Sequence, residues 1–184
     1  MIVGIAGYKG SGKDTAGSIL IEKHDFQKVS FAKPIKDLVS NMFNIDRYEI
    51  EGTCELTREL REDPKRGAYN KSQRLLLQEI GTGLRHIVHP NIWCDMLMKE
   101  LMSDEHYVIT DVRFPNEVEA IHNNGGFVIG IKRPGFNGDG HESEHALDDV
   151  ALPYIVQNDG TMEDLRNKID KLVGDKLKWN YYSI

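Results

Sequence analysis

Residues 7–13 read Gly-Tyr-Lys-Gly-Ser-Gly-Lys and fit the pattern G-x-x-x-x-G-K. Glycine takes up backbone conformations that other residues resist, so such a stretch can turn several N–H groups toward one anion. A helix that opens at the lysine adds positive potential. Lys13 brings a mobile ammonium to the β- and γ-phosphates of a nucleotide. Gly10, Ser11, Gly12 and Lys13 are therefore the expected phosphate seat. The alternative is a glycine-rich strand-to-helix turn that binds nothing; a strand before the motif and a helix after it favour phosphate.

The next residues depart from the common pattern. Asp14 stands where Ser or Thr usually follows the lysine, and Thr15 comes after it. A hydroxyl there touches Mg²⁺; a carboxylate can hold the ion directly or through water. Asp14 also brings negative charge toward phosphates, which requires a metal or another cation beside it. A third possibility is that Asp14 orients the phosphate acceptor.

A second acidic position closes the apolar run at residues 107–110. Ligands gather at the carboxyl ends of parallel strands, so Asp111 can face Mg²⁺ or its water shell across from Lys13. Equally, it can cap the turn that follows. Arg113 lies two residues on, and arginine grips planar anions with two parallel hydrogen bonds. Glu117 falls at the start of the next helix, where it either favours the helix dipole or reaches a substrate hydroxyl or base.

These side chains need a scaffold, and the apolar pattern predicts one. Short β-rich runs lie at Ile2–Ala6, Gln27–Ala32, Tyr107–Asp111, Phe127–Lys132 and Tyr154–Gln157. Helical spacing predicts helices at Lys13–Lys23, Pro34–Phe43, Lys71–Val88, Pro90–Met102, Pro115–Asn124 and Met162–Lys176, with Pro34 in a first turn. The alternation predicts an α/β fold with a parallel sheet and helices on both faces. Residues 44–69 break the regularity with charge, Gly52, Pro64 and Gly67, and read as a mobile, partly helical excursion. A glycine-rich loop at Gly135–Gly140 and a short helix at Glu142–Val150 make residues 134–150 resemble a lid.

Composition excludes several classes. The chain has 184 residues, 40% hydrophobic and 28% charged, which is ordinary globular composition and fits one domain. Its 23 basic and 29 acidic residues give a net charge of −6, unlike a protein that coats a nucleic-acid polymer. No apolar run is long enough to span a membrane, and no secretory signal is visible. Two cysteines cannot make a disulfide framework and read as free thiols in a reducing cytoplasm. The C-terminal WNYYSI, four of six residues apolar, packs on its own chain or on a second copy as a homodimer.

Taken together, GYKGSGKDT at 7–15, SFAKPIKDL at 30–38, LLQEIGTGLR at 76–85, Trp93, VITDVRFPNE at 108–117 and HESEH at 141–145 resemble the phage deoxynucleoside monophosphate kinases. The resemblance implies a three-layer αβα P-loop kinase fold around a central, mostly parallel five-stranded sheet. It implies transfer of the ATP γ-phosphoryl group to a deoxynucleoside monophosphate (dNMP) with Mg²⁺, in the cytoplasm of the host cell if the gene belongs to a phage. Carried over, Ser11, Lys13, Asp14 and Thr15 belong to the phosphate loop, and Asp111, Arg113 and Glu117 to the acceptor and metal side. It also turns the helix at 71–88 toward the acceptor. There Arg74 and Gln78 share a face, Arg85 can reach a phosphate and Trp93 can stack on a base. Arg133, before the lid-like loop, can meet the ATP phosphates as that loop closes.

Two other classes compete. His141-Glu142-Ser143-Glu144-His145 matches H-E-x-x-H, the zinc metalloprotease pattern, but it is polar throughout and leaves the phosphate loop without a role. A nucleotide-dependent switch or ATPase, or a kinase of another small phosphate acceptor, would keep the loop and Asp111.

Overall fold

The structure is a computed structural model that describes residues 1–137 and 145–181, with side chains to residue 177. The chain forms two compact units, one of Met1–Ser30 with Glu100–Ile184 and the other of Phe31–Lys99.

The first unit is built on one sheet of five strands: β1 (Ile2–Ala6), β2 (Gln27–Val29), β3 (Tyr107–Val112), β4 (Phe127–Lys132) and β5 (Tyr154–Gln157). The order is β2-β3-β1-β4-β5 and every pairing is parallel. β1 is buried along its whole length, as a central strand covered on both faces must be. Against one face lie α1 (Lys13–His24) and the C-terminal helix (Met162–Tyr181). Their Ala16, Ile19, Leu20, Leu165, Ile169 and Val173 close over Val3, Ile5, Val108, Ile129, Ile131 and Val156. Against the other face lies the helix Pro115–Asn123, which supplies the buried Ile121. This is a three-layer α/β architecture.

The strands fall where the pattern puts them, with two differences. β2 stops at Val29 because Ala32 is already in the right-handed helical region, which ends the ladder. β3 runs one residue past Asp111, because it carries a bulge. Gly4 pairs with Ile109 but Ala6 pairs with Val112, so β3 holds one extra residue against β1. Thr110 therefore lies against Gly17 of α1, whereas Val112, only two residues on, packs near Gly4 beside Ile121.

The second unit is helical: α2 (Lys33–Phe43), α3 (Arg47–Glu51), α4 (Glu55–Glu62), a 3-10 turn at Pro64–Arg66, α5 (Gln73–Ile87) and most of α6 (Ile92–Glu100). The helices of the first unit that follow are α7 (Pro115–Asn123) and α8 (Met162–Tyr181). Pro34 sits in the first turn of α2 as expected, and Met42 near its end is 59% exposed. The charged excursion is folded: Ile50 and Thr57 are buried, and buried Gln73 of α5 donates to Glu49 and to the Arg66 carbonyl at 3.0 and 3.1 Å. The two cysteines, Cys54 exposed and Cys94 buried, do not form a disulfide. Residues 138–144, which hold most of HESEH, the end of the expected glycine-rich loop and the first three residues of the expected short helix, lie outside the described residues. Among the described residues no helix is long and apolar enough to cross a membrane.

Packing is tight around Gly4. A Cβ there would come within 2.5 Å of Ile121, 3.0 Å of Val128 and 3.1 Å of Val112. Gly4→Val is expected to destabilise the protein by about 1–3 kcal/mol through overpacking, read as a lower midpoint in thermal or urea unfolding. An unchanged midpoint would show that α7 does not close on β1.

Candidate phosphate-transfer site

The loop after β1 has the backbone that an anion cradle needs. Gly7, Gly10 and Gly12 take positive φ values of 144°, 79° and 108°, a region that side chains disfavour. Gly12 is the N-cap of α1, so the first N–H groups of that helix open at the end of the loop. Close approach matters as well: a Cβ on Gly7 would come 2.4 Å from the Ile131 carbonyl oxygen.

Lys13 folds back over the loop. Its Nζ donates to the carbonyls of Gly7 at 2.6 Å and Tyr8 at 2.8 Å. Ser11 is 1% exposed, and its hydroxyl is buried without a hydrogen-bond partner among the described residues. A buried polar atom left unpaired is costly, so the hydroxyl is a site that a ligand oxygen can complete. Arg133, at the end of β4, donates from Nη1 to the Gly10 carbonyl at 3.2 Å, and its guanidinium lies 4.6 Å above the Phe136 ring. Arg133 thus rests on the backbone of the phosphate loop. Tyr8 Oη donates to Asp148 Oδ1 at 2.5 Å, and His145 Nδ1 lies 2.8 Å from Asp148 Oδ2. The bond from Tyr8, followed by that from His145, holds the Asp148 carboxyl below the usual carboxylate range. The described end of HESEH is therefore tied to the phosphate loop.

Asp14 has found a cation. Lys28 of β2 lies 3.1 Å from its Oδ1, and the Thr110 hydroxyl lies 3.4 Å from the same oxygen. Thr15 follows on α1. Asp111 and Arg113 rise from the end of β3, the strand next to β1, with Asp111 half-buried beside the bulge and Arg113 exposed. Glu117 is 2% exposed, and its Oε2 accepts the backbone N–H groups of Arg113 at 2.7 Å and Phe114 at 3.1 Å. That is the helix-end use, the carboxylate half of a capping box, and it fixes the turn that carries Arg113.

The other sequence candidates belong to the second unit. Arg74 and Gln78 are both exposed on α5, one turn apart as expected, and Arg85 is half-buried. Arg74 Nη1 pairs with Glu62 at 2.8 Å. Nearby, Arg61 is half-buried over Gly52, and burial, then the like charge of Arg74, pushes its pKa down. Trp93 corrects an expectation. It is 1% exposed and its Nε1 donates to the Gly81 carbonyl at 2.9 Å, so it is a core residue with no face open to a base. Lys28 and Asn158, whose Nδ2 donates to the Ser11 carbonyl at 2.8 Å, were not legible as site residues. Lys28 lies in an edge strand, and Asn158 sits in a polar turn 147 positions along the chain from its partner.

The family model described as deoxynucleotide monophosphate kinase matches residues 1–64 and 47–169. A viral relative bearing that family description, from Acanthamoeba polyphaga mimivirus, is 32% identical over 98% of this chain and 100% of its own. The deoxynucleotide monophosphate kinase of Enterobacteria phage T4 is 25% identical over 91% of this chain and 96% of its own. Among solved structures, dephospho-CoA kinase from Campylobacter jejuni superposes with a TM-score of 0.51 at 19% identity, covering 97% of this chain and 98% of that one, a likeness of fold.

The Asp14–Lys28 pair gives a direct test. Lys28→Met leaves the carboxylate unbalanced beside the phosphate seat and is expected to weaken nucleoside triphosphate binding about three- to fivefold, the range of an exposed ion pair. In the Asp14→Asn background the same change should have little further effect, read by calorimetric titration of all four variants. Additive effects would show that the two side chains act independently.

Proposed function

Because the chain belongs to the deoxynucleotide monophosphate kinase family, we propose that it transfers the γ-phosphoryl group of ATP to the 5′-phosphate of a dNMP. The products are the deoxynucleoside diphosphate and ADP. The observation that carries this reading is the phosphate loop, with three glycines at positive φ, the unpaired Ser11 hydroxyl buried within it and Lys13 folded across it.

The chemistry asks little covalent work of the protein. An oxygen of the acceptor phosphate attacks the γ-phosphorus. The bond from that phosphorus to the β–γ bridging oxygen breaks, and its electron pair leaves with ADP. The acceptor oxygen is already an anion, so no general base is needed. Lys13 exchanges the Gly7 and Tyr8 carbonyls for β- and γ-phosphate oxygens. Gly10, Ser11, Gly12 and the first turn of α1 hold those oxygens through N–H groups and the Ser11 hydroxyl. Arg113 neutralises the acceptor phosphate, which must approach another polyanion, and Glu117 keeps the Arg113 turn in place. Arg133 steadies the loop from the side of β4. In the second unit the exposed face of Arg74 and Gln78, with Arg85, is the candidate for acceptor contacts.

Oxygen donors suited to Mg²⁺ are at hand in Asp14, Thr15 and Asp111. Held there, the ion would supply positive charge to offset the charge that develops on the phosphate oxygens. Asp14 is reachable for this role because its side chain is 84% exposed.

The test is ADP release from ATP and Mg²⁺ across a panel of deoxy- and ribonucleoside monophosphates, with a control lacking acceptor. Release that requires a dNMP supports the reading. Release without acceptor would replace it with an ATPase or switch. Within the same assay, Lys13→Ala is expected to lower turnover by about 100-fold or more. Arg113→Ala is expected to raise the acceptor KM about tenfold, with a smaller change in the KM for ATP. Near-native activity of either folded variant would remove that residue from its role.

A further inference from the structure

A phosphate loop works only if its peptide groups present N–H, not C=O, to the anion. A trans peptide points the two in opposite directions, so whatever holds the carbonyl also aims the amide. The Ser11–Gly12 peptide is the exposed case. Gly12 has φ 108°, and glycine crosses between backbone regions at little cost, so the loop itself does not select one orientation of this peptide. An external donor makes the selection: Asn158 Nδ2 donates to the Ser11 carbonyl at 2.8 Å.

That donor is anchored apart from the loop. Asn158 follows β5 directly, and its backbone N–H donates to the Lys132 carbonyl at the end of β4 at 2.7 Å. The amide therefore rests on the sheet edge. Gly12 is shaped to receive it, since a Cβ there would lie 2.6 Å from Asn158 Nδ2. Lys13 at Gly7 and Tyr8 and Arg133 at Gly10 are cationic side-chain tethers on other loop carbonyls. Phosphates draw cations away from carbonyls. A neutral amide, half-buried behind the loop, has no such pull and keeps its bond as the nucleotide enters.

We propose that Asn158 is a positioning residue for the phosphate seat, holding the Ser11 carbonyl outward so that the Gly12 N–H is aimed at the ATP phosphates. This rests on the reading that the loop binds ATP. Asn158 does not touch the acceptor, so its removal separates the two substrates.

The experiment uses the full chain with Asn158→Ala and Asn158→Asp. Dissociation constants for ATP are measured by calorimetry without acceptor, and KM values for ATP and dNMP by ADP release, with melting temperatures as the fold control. Asn158→Ala should weaken ATP binding about tenfold and leave the dNMP KM within about twofold. Asn158→Asp keeps the shape but sets a carboxylate oxygen against the Ser11 carbonyl, so it should bind ATP more weakly than Asn158→Ala. ATP affinity within about twofold of the parent in both variants overturns the proposal. So do equal losses for the two substrates that track a lower melting temperature, which mark a merely structural residue. A parent protein that binds ATP but phosphorylates no dNMP removes the kinase reading while the ATP titrations still decide the role of Asn158. A parent that does not bind ATP removes both.

Discussion

Parallel pairing of β1 between β3 and β4 is the constraint on which the rest of the first unit depends. It brings the carboxyl ends of three neighbouring strands to one edge, with about 5 Å between strands. The phosphate loop leaves the first of these ends, Asp111 and Arg113 the second, and Arg133 the third. β1 can hold the centre because it is apolar on both faces, and because Gly4 leaves space for Ile121, Val128 and Val112 on the side of α7. Burying Val3 and Ile5 against α1 and α8 then secures the strand from which the loop departs.

Local irregularities tune what the sheet sets out. The extra residue in β3 lets Thr110 serve the α1 side and Val112 the α7 side, and Asp111 lies between them at the rim. Bulges recur beside active sites because they re-aim a side chain without breaking the sheet. Glu117 acts in the same way one turn later. Its buried carboxylate satisfies two backbone N–H groups, so the Arg113 turn is rigid while the Arg113 side chain stays exposed.

Carboxylates around the loop have partners. Asp14 has Lys28, and Asp148 has His145 together with the Tyr8 hydroxyl. The carbonyls of Gly7, Tyr8, Gly10 and Ser11 each accept from a side chain. Cationic tethers are exchangeable for phosphate, whereas the amide of Asn158 is not, so the loop combines parts that change partner with a part that stays.

Much of this was legible in the chain. Five strands, the order of the helices, the phosphate loop and Pro34 at a helix start follow from apolar period and from glycine and proline, which act within a few residues. The types of Lys13, Asp111 and Arg113 state their chemistry wherever they lie. Tertiary structure alone decided which contacts these residues make. Trp93 has the aromatic plane of a base-stacking residue, yet it is buried and gives its N–H to Gly81. Glu117 had two uses open to it, and the turn after β3 gives its Oε2 two backbone N–H groups. Lys28 and Asn158 carry no local signal, since their partners lie 14 and 147 residues away and meet them only once the parallel sheet has formed. Local period records which face a residue occupies; partners brought together by long crossovers are fixed by strand order, which no short window of sequence contains.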